Sequence, residues 1–158
     1  MGEDLHTIAG TKGEQYASLF PQIEALIHGE KDLIANMANM AAALKEQFKW
    51  WWVGFYLVKD QELVLGPFQG PVACTRIQKG RGVCGTAWMQ EKTIIVDDVH
   101  TFPGHIACSA LSQSEIVIPL FRGREVWAVL DVDSEHTAHF DDIDKQWLEK
   151  LTQLLQEN

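Results

Sequence analysis

Three cysteines and a group of late carboxylates are the residues here whose type and placement could do chemistry. Cys108 ends the irregular stretch Asp98-Val99-His100-Thr101-Phe102-Pro103-Gly104-His105-Ile106-Ala107-Cys108, just upstream of Glu115. A loop thiol beside a polar pocket is a candidate nucleophile. Cys84 falls in the first turn of a short helix after Lys79-Gly80-Arg81-Gly82, where the helix dipole is expected to lower a thiol pKa. Cys74 lies beside Ala73 on a candidate strand. An isolated cysteine is ordinarily a buried small hydrophobe, and position is what sets these apart. An odd count cannot close into a full set of bridges, and lasting disulfides are rare in reducing compartments. Zinc is the competing use, since His105 and Cys108 stand three apart. No CxxC pair is present, however, so no metal is assigned.

The carboxylates ask for a different partner. In Leu130-Asp131-Val132-Asp133, strand alternation puts both aspartates on one face and the aliphatic residues on the other. Asp131 is expected to share its face with Trp127 and Val129. Glu115 opens the preceding strand, and hairpin pairing can bring it near Asp131 and Asp133; the plainer alternative leaves all three at strand ends in water. Burying one unpaired ion costs several kcal/mol, and close like charges raise one pKa. A cluster therefore wants a cationic guest or a retained proton. It can hold an ammonium group, or donate to an oxygen that gains negative charge. On the first strand Trp52, Gly54 and Tyr56 share a face, and Gly54 is expected to leave a slot between two aromatics for a small apolar or cationic group. Ordinary core aromatics with a glycine at a bend are the bland reading. Trp50 to Trp52 cannot all face one way, so at least one should be partly exposed or at an interface.

The elements that must position these groups follow from periodicity. Tyr16 to Ile27 and Leu33 to Phe48 repeat apolar residues at helical spacing, with Gly29 as a stop. Strands are expected over Trp50 to Val58, Glu62 to Gln69, Pro71 to Gln78, Thr93 to Val96, Glu115 to Phe121 and Val126 to Ser134. A short helix spans Val83 to Gln90, and an amphipathic one starts at Asp141-Asp142. This order describes an α+β domain. Its central antiparallel six-stranded sheet carries the N- and C-terminal helices on one face and a loop-covered pocket on the other. Residues 1–13 read as a flexible lead-in and 14–158 as one folded domain.

Composition narrows the function. The chain has 158 residues, 46% hydrophobic and 22% charged, with a net charge of −9. That acidity lacks the footprint of a nucleic-acid binder and is repelled by anionic membranes. No apolar run approaches the roughly 20 residues of a membrane span. The acidic N-terminus has no secretory h-region, so a cytoplasmic location is expected.

Several segments together resemble the free methionine-(R)-sulfoxide reductases, single-domain enzymes of the GAF fold. They are Leu63-Val64-Leu65-Gly66-Pro67-Phe68-Gln69-Gly70, Ala73-Cys74, Gly80-Arg81-Gly82-Val83-Cys84-Gly85-Thr86-Ala87, Gly104-His105-Ile106-Ala107-Cys108, Ser114-Glu115-Ile116-Val117-Ile118-Pro119-Leu120 and Leu130-Asp131-Val132-Asp133-Ser134. The chain departs from the family at Ala128, where glycine is usual, and over Ser109 to Ser112. The resemblance implies reduction of the R epimer of free L-methionine sulfoxide to methionine. Cys108 would attack the sulfoxide sulfur and become a sulfenic acid, Cys74 would resolve it as a disulfide, and Cys84 would be an auxiliary thiol. Glu115, Asp131 and Asp133 would bind the ammonium and polarise the oxygen, with Trp52 and Tyr56 around the methyl-sulfur end. No bound cofactor is implied. Thioredoxin, fed by NADPH and thioredoxin reductase, would be the reductant, and a homodimer is compatible with the family and the tryptophan cluster. A non-enzymatic GAF-type sensor of a small molecule or of redox state is the alternative.

Overall fold

Thr11 opens the first helix with a capping box: its side chain accepts from Glu14 N, and the Glu14 side chain accepts from Thr11 N. The helix, α1, runs Lys12–Ile27, and α2 runs Leu33–Phe48 behind an Asp32 cap that accepts from Ala35 N. The computed structural model describes residues 4–105 and 110–157. Ahead of α1, the irregular lead-in is tied down from both sides: His6 exchanges hydrogen bonds with Gln22, and Ile8 exchanges them with Gln47.

The strands are β1 (Trp52–Lys59), β2 (Glu62–Gln69), β3 (Arg76–Gln78), β4 (Ile94–Val96), β5 (Ser114–Arg122) and β6 (Glu125–Ser134). They form one six-stranded sheet in the order β3-β2-β1-β6-β5-β4, antiparallel at every pairing. Helix α3 (Gly82–Gln90) follows β3, a 3-10 turn covers Val99–Thr101, and α4 (Asp142–Glu157) closes the chain. The third strand is shorter than its sequence suggests. Pro71 to Thr75 is irregular, which puts Cys74 on a connecting segment instead of a strand.

Strand alternation feeds two cores, one on each face of the sheet. Val53, Phe55, Ile116, Ile118, Leu130 and Val132 pack beneath α1, α2 and α4. Tyr56, Val117 and Val129 face the other way, toward Val83, Cys84 and Ala87 of α3. The division of N- and C-terminal helices from a pocket face is thus as expected. The alternation is broken by a register shift between Gly54 and Tyr56 in the pairing of β1 with β2, and again in the pairing of β5 with β6. Leu120 pairs with Ala128 but Phe121 pairs with Val126, so Trp127 is an extra residue in a β-bulge. The bulge moves Trp127 off the face of Asp131 to the helix side, where Arg122 lies 4.4 Å over its ring.

Candidate active site

The register of the two central pairings assembles the acids. Asp133 stands opposite both Glu115 on β5 and Trp52 on β1, while Asp131 stands between Val117 and Gly54. Glu115, Asp131 and Asp133 therefore converge on one cavity, which Trp51, Trp52, Tyr56, Arg81, Cys84, His105 and Ser112 also line. Its empty space is about 570 Å³, the mouth and the adjoining open solvent included.

Burial sets the electrostatics. It pushes Glu115 well above the usual carboxylate range, and repulsion from Asp131 and Asp133 adds to the rise. Asp133 is raised in the same way, by burial and then by Asp131, although Ser112 Oγ donates to its Oδ1 at 2.9 Å. Asp131 is also raised by burial, but hydrogen bonds from Glu115, Cys84 and Asp133 pull it back. Asp131 is thus the member that ionises most readily, and its neighbours favour their protonated forms. Its Oδ1 is buried with no hydrogen-bond partner among the described residues. Asp131 lines the cavity, so a donor group placed there could satisfy it.

The thiols divide. Cys84 is free and buried, with Sγ 4.0 Å from Glu115 Oε2. The expectation of a lowered pKa fails: burial and the three acids push this thiol well up. A helix terminus is worth about 0.3–1 kcal/mol, too little against desolvation and like charge. Cys74 is disulfide-bonded. Cys108 lies outside the described residues.

The aromatic wall differs from the expected slot. A Cβ on Gly54 would come within 2.3 Å of Phe68 Cβ and 2.8 Å of the Trp52 ring, so neighbours fill the space the glycine frees. Trp52 stacks on Phe68 at 5.2 Å and on Tyr56 at 6.0 Å, making a continuous panel. Both residues also reach the Cys74 segment. Trp52 Nε1 donates to Pro71 O at 3.1 Å, and the Tyr56 hydroxyl donates to Cys74 O at 2.8 Å. Of the other tryptophans, Trp50 is buried against Phe48 and Phe140, while Trp51 is half-buried and lines the cavity.

Trp51, Arg81, His105 and Ser112 are lining residues that the sequence reading did not assign to the site. The cationic glycine turn before Cys84 was the available signal for Arg81. Nothing in the sequence marks Ser112.

The GAF domain family model matches residues 30–157. GAF domain-containing protein A of Dictyostelium discoideum is 62% identical across 98% of this chain and 99% of its own. Free methionine-R-sulfoxide reductase of Escherichia coli is 48% identical, covering 92% of this chain and 88% of its own. The chain belongs to the GAF-domain family of free methionine-R-sulfoxide reductases. The X-ray structure of the family member from Neisseria meningitidis, in complex with its substrate, has a TM-score of 0.95 at 54% identity. It covers 98% of this chain and 93% of that one. The resemblance carried by the sequence motifs is borne out, and with it the single GAF fold.

Proposed function

We propose that this protein reduces the R epimer of free L-methionine sulfoxide to L-methionine, with thioredoxin restoring the enzyme. The observation that carries this reading is the acid cluster on the cavity: Glu115 and Asp131 buried, Asp133 half-buried, with one Asp131 oxygen unpartnered among the described residues. Asp131 grips the substrate ammonium. A protonated neighbour, Glu115 or Asp133, donates to the sulfoxide oxygen, without which the sulfur is a poor electrophile. The panel of Trp52 and Tyr56 covers the methyl-sulfur end. Arg81 is the one permanently cationic side chain among the described lining residues, and it pairs with the substrate carboxylate.

Cys108 supplies the nucleophile. Its sulfur takes the sulfoxide oxygen, leaving methionine and a sulfenic acid on Cys108. The Cys74 thiol then displaces that hydroxyl as water and forms a disulfide, the capture a sulfenic acid needs before it oxidises further. A thioredoxin dithiol reduces the bridge and becomes oxidised itself. Support comes from Cys74, which is disulfide-bonded and half-buried on a segment held by Trp52 and Tyr56, whereas Cys84 is a buried free thiol. Cys84 is then an auxiliary thiol, too protonated to lead the attack. Free methionine sulfoxide is preferred over the sulfoxide of a residue within a chain, which has no α-ammonium for Asp131 to grip.

A stereospecific assay on both free epimers, run with thioredoxin and NADPH, tests the reading. Turnover of the R epimer alone is expected, lost in Cys108→Ser and reduced to a single turnover in Cys74→Ser. Full activity in Cys108→Ser ends the assignment, and tight ligand binding without sulfoxide loss points to the sensor alternative.

A further inference from the structure

The acid cluster offers more than a seat for an ammonium group. One ligand atom each from Cys84, Glu115 and Asp131 lie within 4.8 Å of one another, and all three residues are buried. An acidic cluster alone says little. Here, though, Asp131 is only 6% exposed, lines the cavity, and has a buried Oδ1 with no partner among the described residues. The sulfur narrows the chemistry further. Magnesium and calcium select all-oxygen sites, whereas a thiolate beside carboxylates suits zinc. Three protein ligands around a fourth position that opens on a cavity is a layout zinc accepts. The three donors sit on α3, β5 and β6, so packed elements fix their spacing, and no sequence interval betrays it.

We propose that Cys84, Glu115 and Asp131 bind Zn²⁺, and that the ion excludes the amino-acid substrate from the pocket. The Cys84 thiol proton and the Glu115 carboxyl proton both leave to solvent on binding, with no change of oxidation state. This donor set differs from the His105 and Cys108 pair weighed from the sequence. The exclusion rests on the reductase reading above; the metal site does not.

Titration of the anaerobically reduced, untagged full chain with Co²⁺ reads the site, because a cobalt–thiolate bond gives a near-ultraviolet charge-transfer band. The band should saturate at one ion per chain and disappear on adding one equivalent of Zn²⁺. It should vanish in Cys84→Ser and persist in Cys74→Ser. Absence of the band in the parent, or its survival in Cys84→Ser, overturns the site. If Cys84→Ser is unfolded by circular dichroism, the near-isosteric Asp131→Asn decides. Its cobalt affinity should fall at least about tenfold, since even outer-shell losses cost roughly 10–100-fold, and an unchanged affinity overturns the site. In turnover, Zn²⁺ should raise the apparent KM for free methionine sulfoxide without lowering kcat, reversibly with EDTA; a lowered kcat at constant KM overturns the exclusion. Cobalt binding in a protein that reduces neither epimer would sink the reductase reading and leave the metal site standing.

Discussion

Glu115, buried, and Asp133, half-buried, favour their protonated forms because ionising them in place adds charge beside Asp131 in a desolvated site. That preference is a stability term with a definite sign. A carboxyl whose pKa is higher folded than unfolded favours the fold fully below the ordinary carboxylate value, near 4. The contribution is lost as pH rises through the raised folded values. The ligand-free protein should therefore lose thermal stability from mildly acidic pH upward. Glu115→Gln, which removes one titrating member, should gain Tm relative to the parent at pH 8 and much less at pH 5; melts at both pH values check it. Arg81 makes a second residue-scale case. Arg81→Ala should raise KM for the free amino acid by about tenfold, the worth of roughly 1.4 kcal/mol of a charge-assisted pair, with a smaller change in kcat in steady-state assays. The identities of the three acids and of the two wall aromatics were legible because strand alternation assigns faces without any tertiary knowledge. Protonation states were not legible, since burial and distance set them. Cys84 shows the difference: its helix position suggested a low pKa, and its neighbours reversed the sign.

At the scale of elements, α3 delivers Cys84 to the acids by lying close against the end of β3. A Cβ on Gly85 would come within 2.4 Å of Gln78 O and 3.1 Å of Gly80 N, both backbone atoms that cannot yield cheaply. Gly85→Ala should destabilise the fold by about 1–3 kcal/mol in urea unfolding. Gly13, near the start of α1, has nothing within 4 Å of an added Cβ. Gly13→Ala should be neutral or stabilising by up to about 1 kcal/mol, through the unfolded chain and helix propensity. The bounds of α2 and β2 agree with the periodicity of their residues. The failures were local. Pro71 to Thr75 reads as strand by composition, yet its carbonyls at Pro71 and Cys74 bond to side chains of β1 instead of to a neighbouring strand. The bulge at Trp127 exists only in the pairing of β5 with β6, so one strand's sequence cannot reveal it.

Across the whole molecule, one sheet carries two unlike faces, and the helix-covered face holds the frame on which the pocket face is built. Asp144 on α4, 1% exposed, ties that frame together. It accepts from Lys12 Nζ at 2.6 Å and from the Tyr16 hydroxyl at 2.5 Å, both on α1. Asp144→Ala should cost about 3 kcal/mol, toward the low end for a broken buried pair because Lys12 keeps some water. The exposed Arg76–Glu62 pair makes the control. Arg76→Ala should cost under about 1 kcal/mol in the same denaturant series, although its N–O distance is equally short at 2.6 Å. The sequence by itself determined the α+β class, the faces of the strands away from their bulges, the acids and aromatics placed on the cavity, and the family, because periodicity and short motifs are local in the chain. Only the tertiary structure decided that Gly54 seats a stacked panel, that Cys84 is a protonated buried thiol, and that Arg81 and Ser112 join the cavity. Those outcomes depend on distances between α3, β1, β5 and β6, and such distances exist only once the two faces of the sheet have packed.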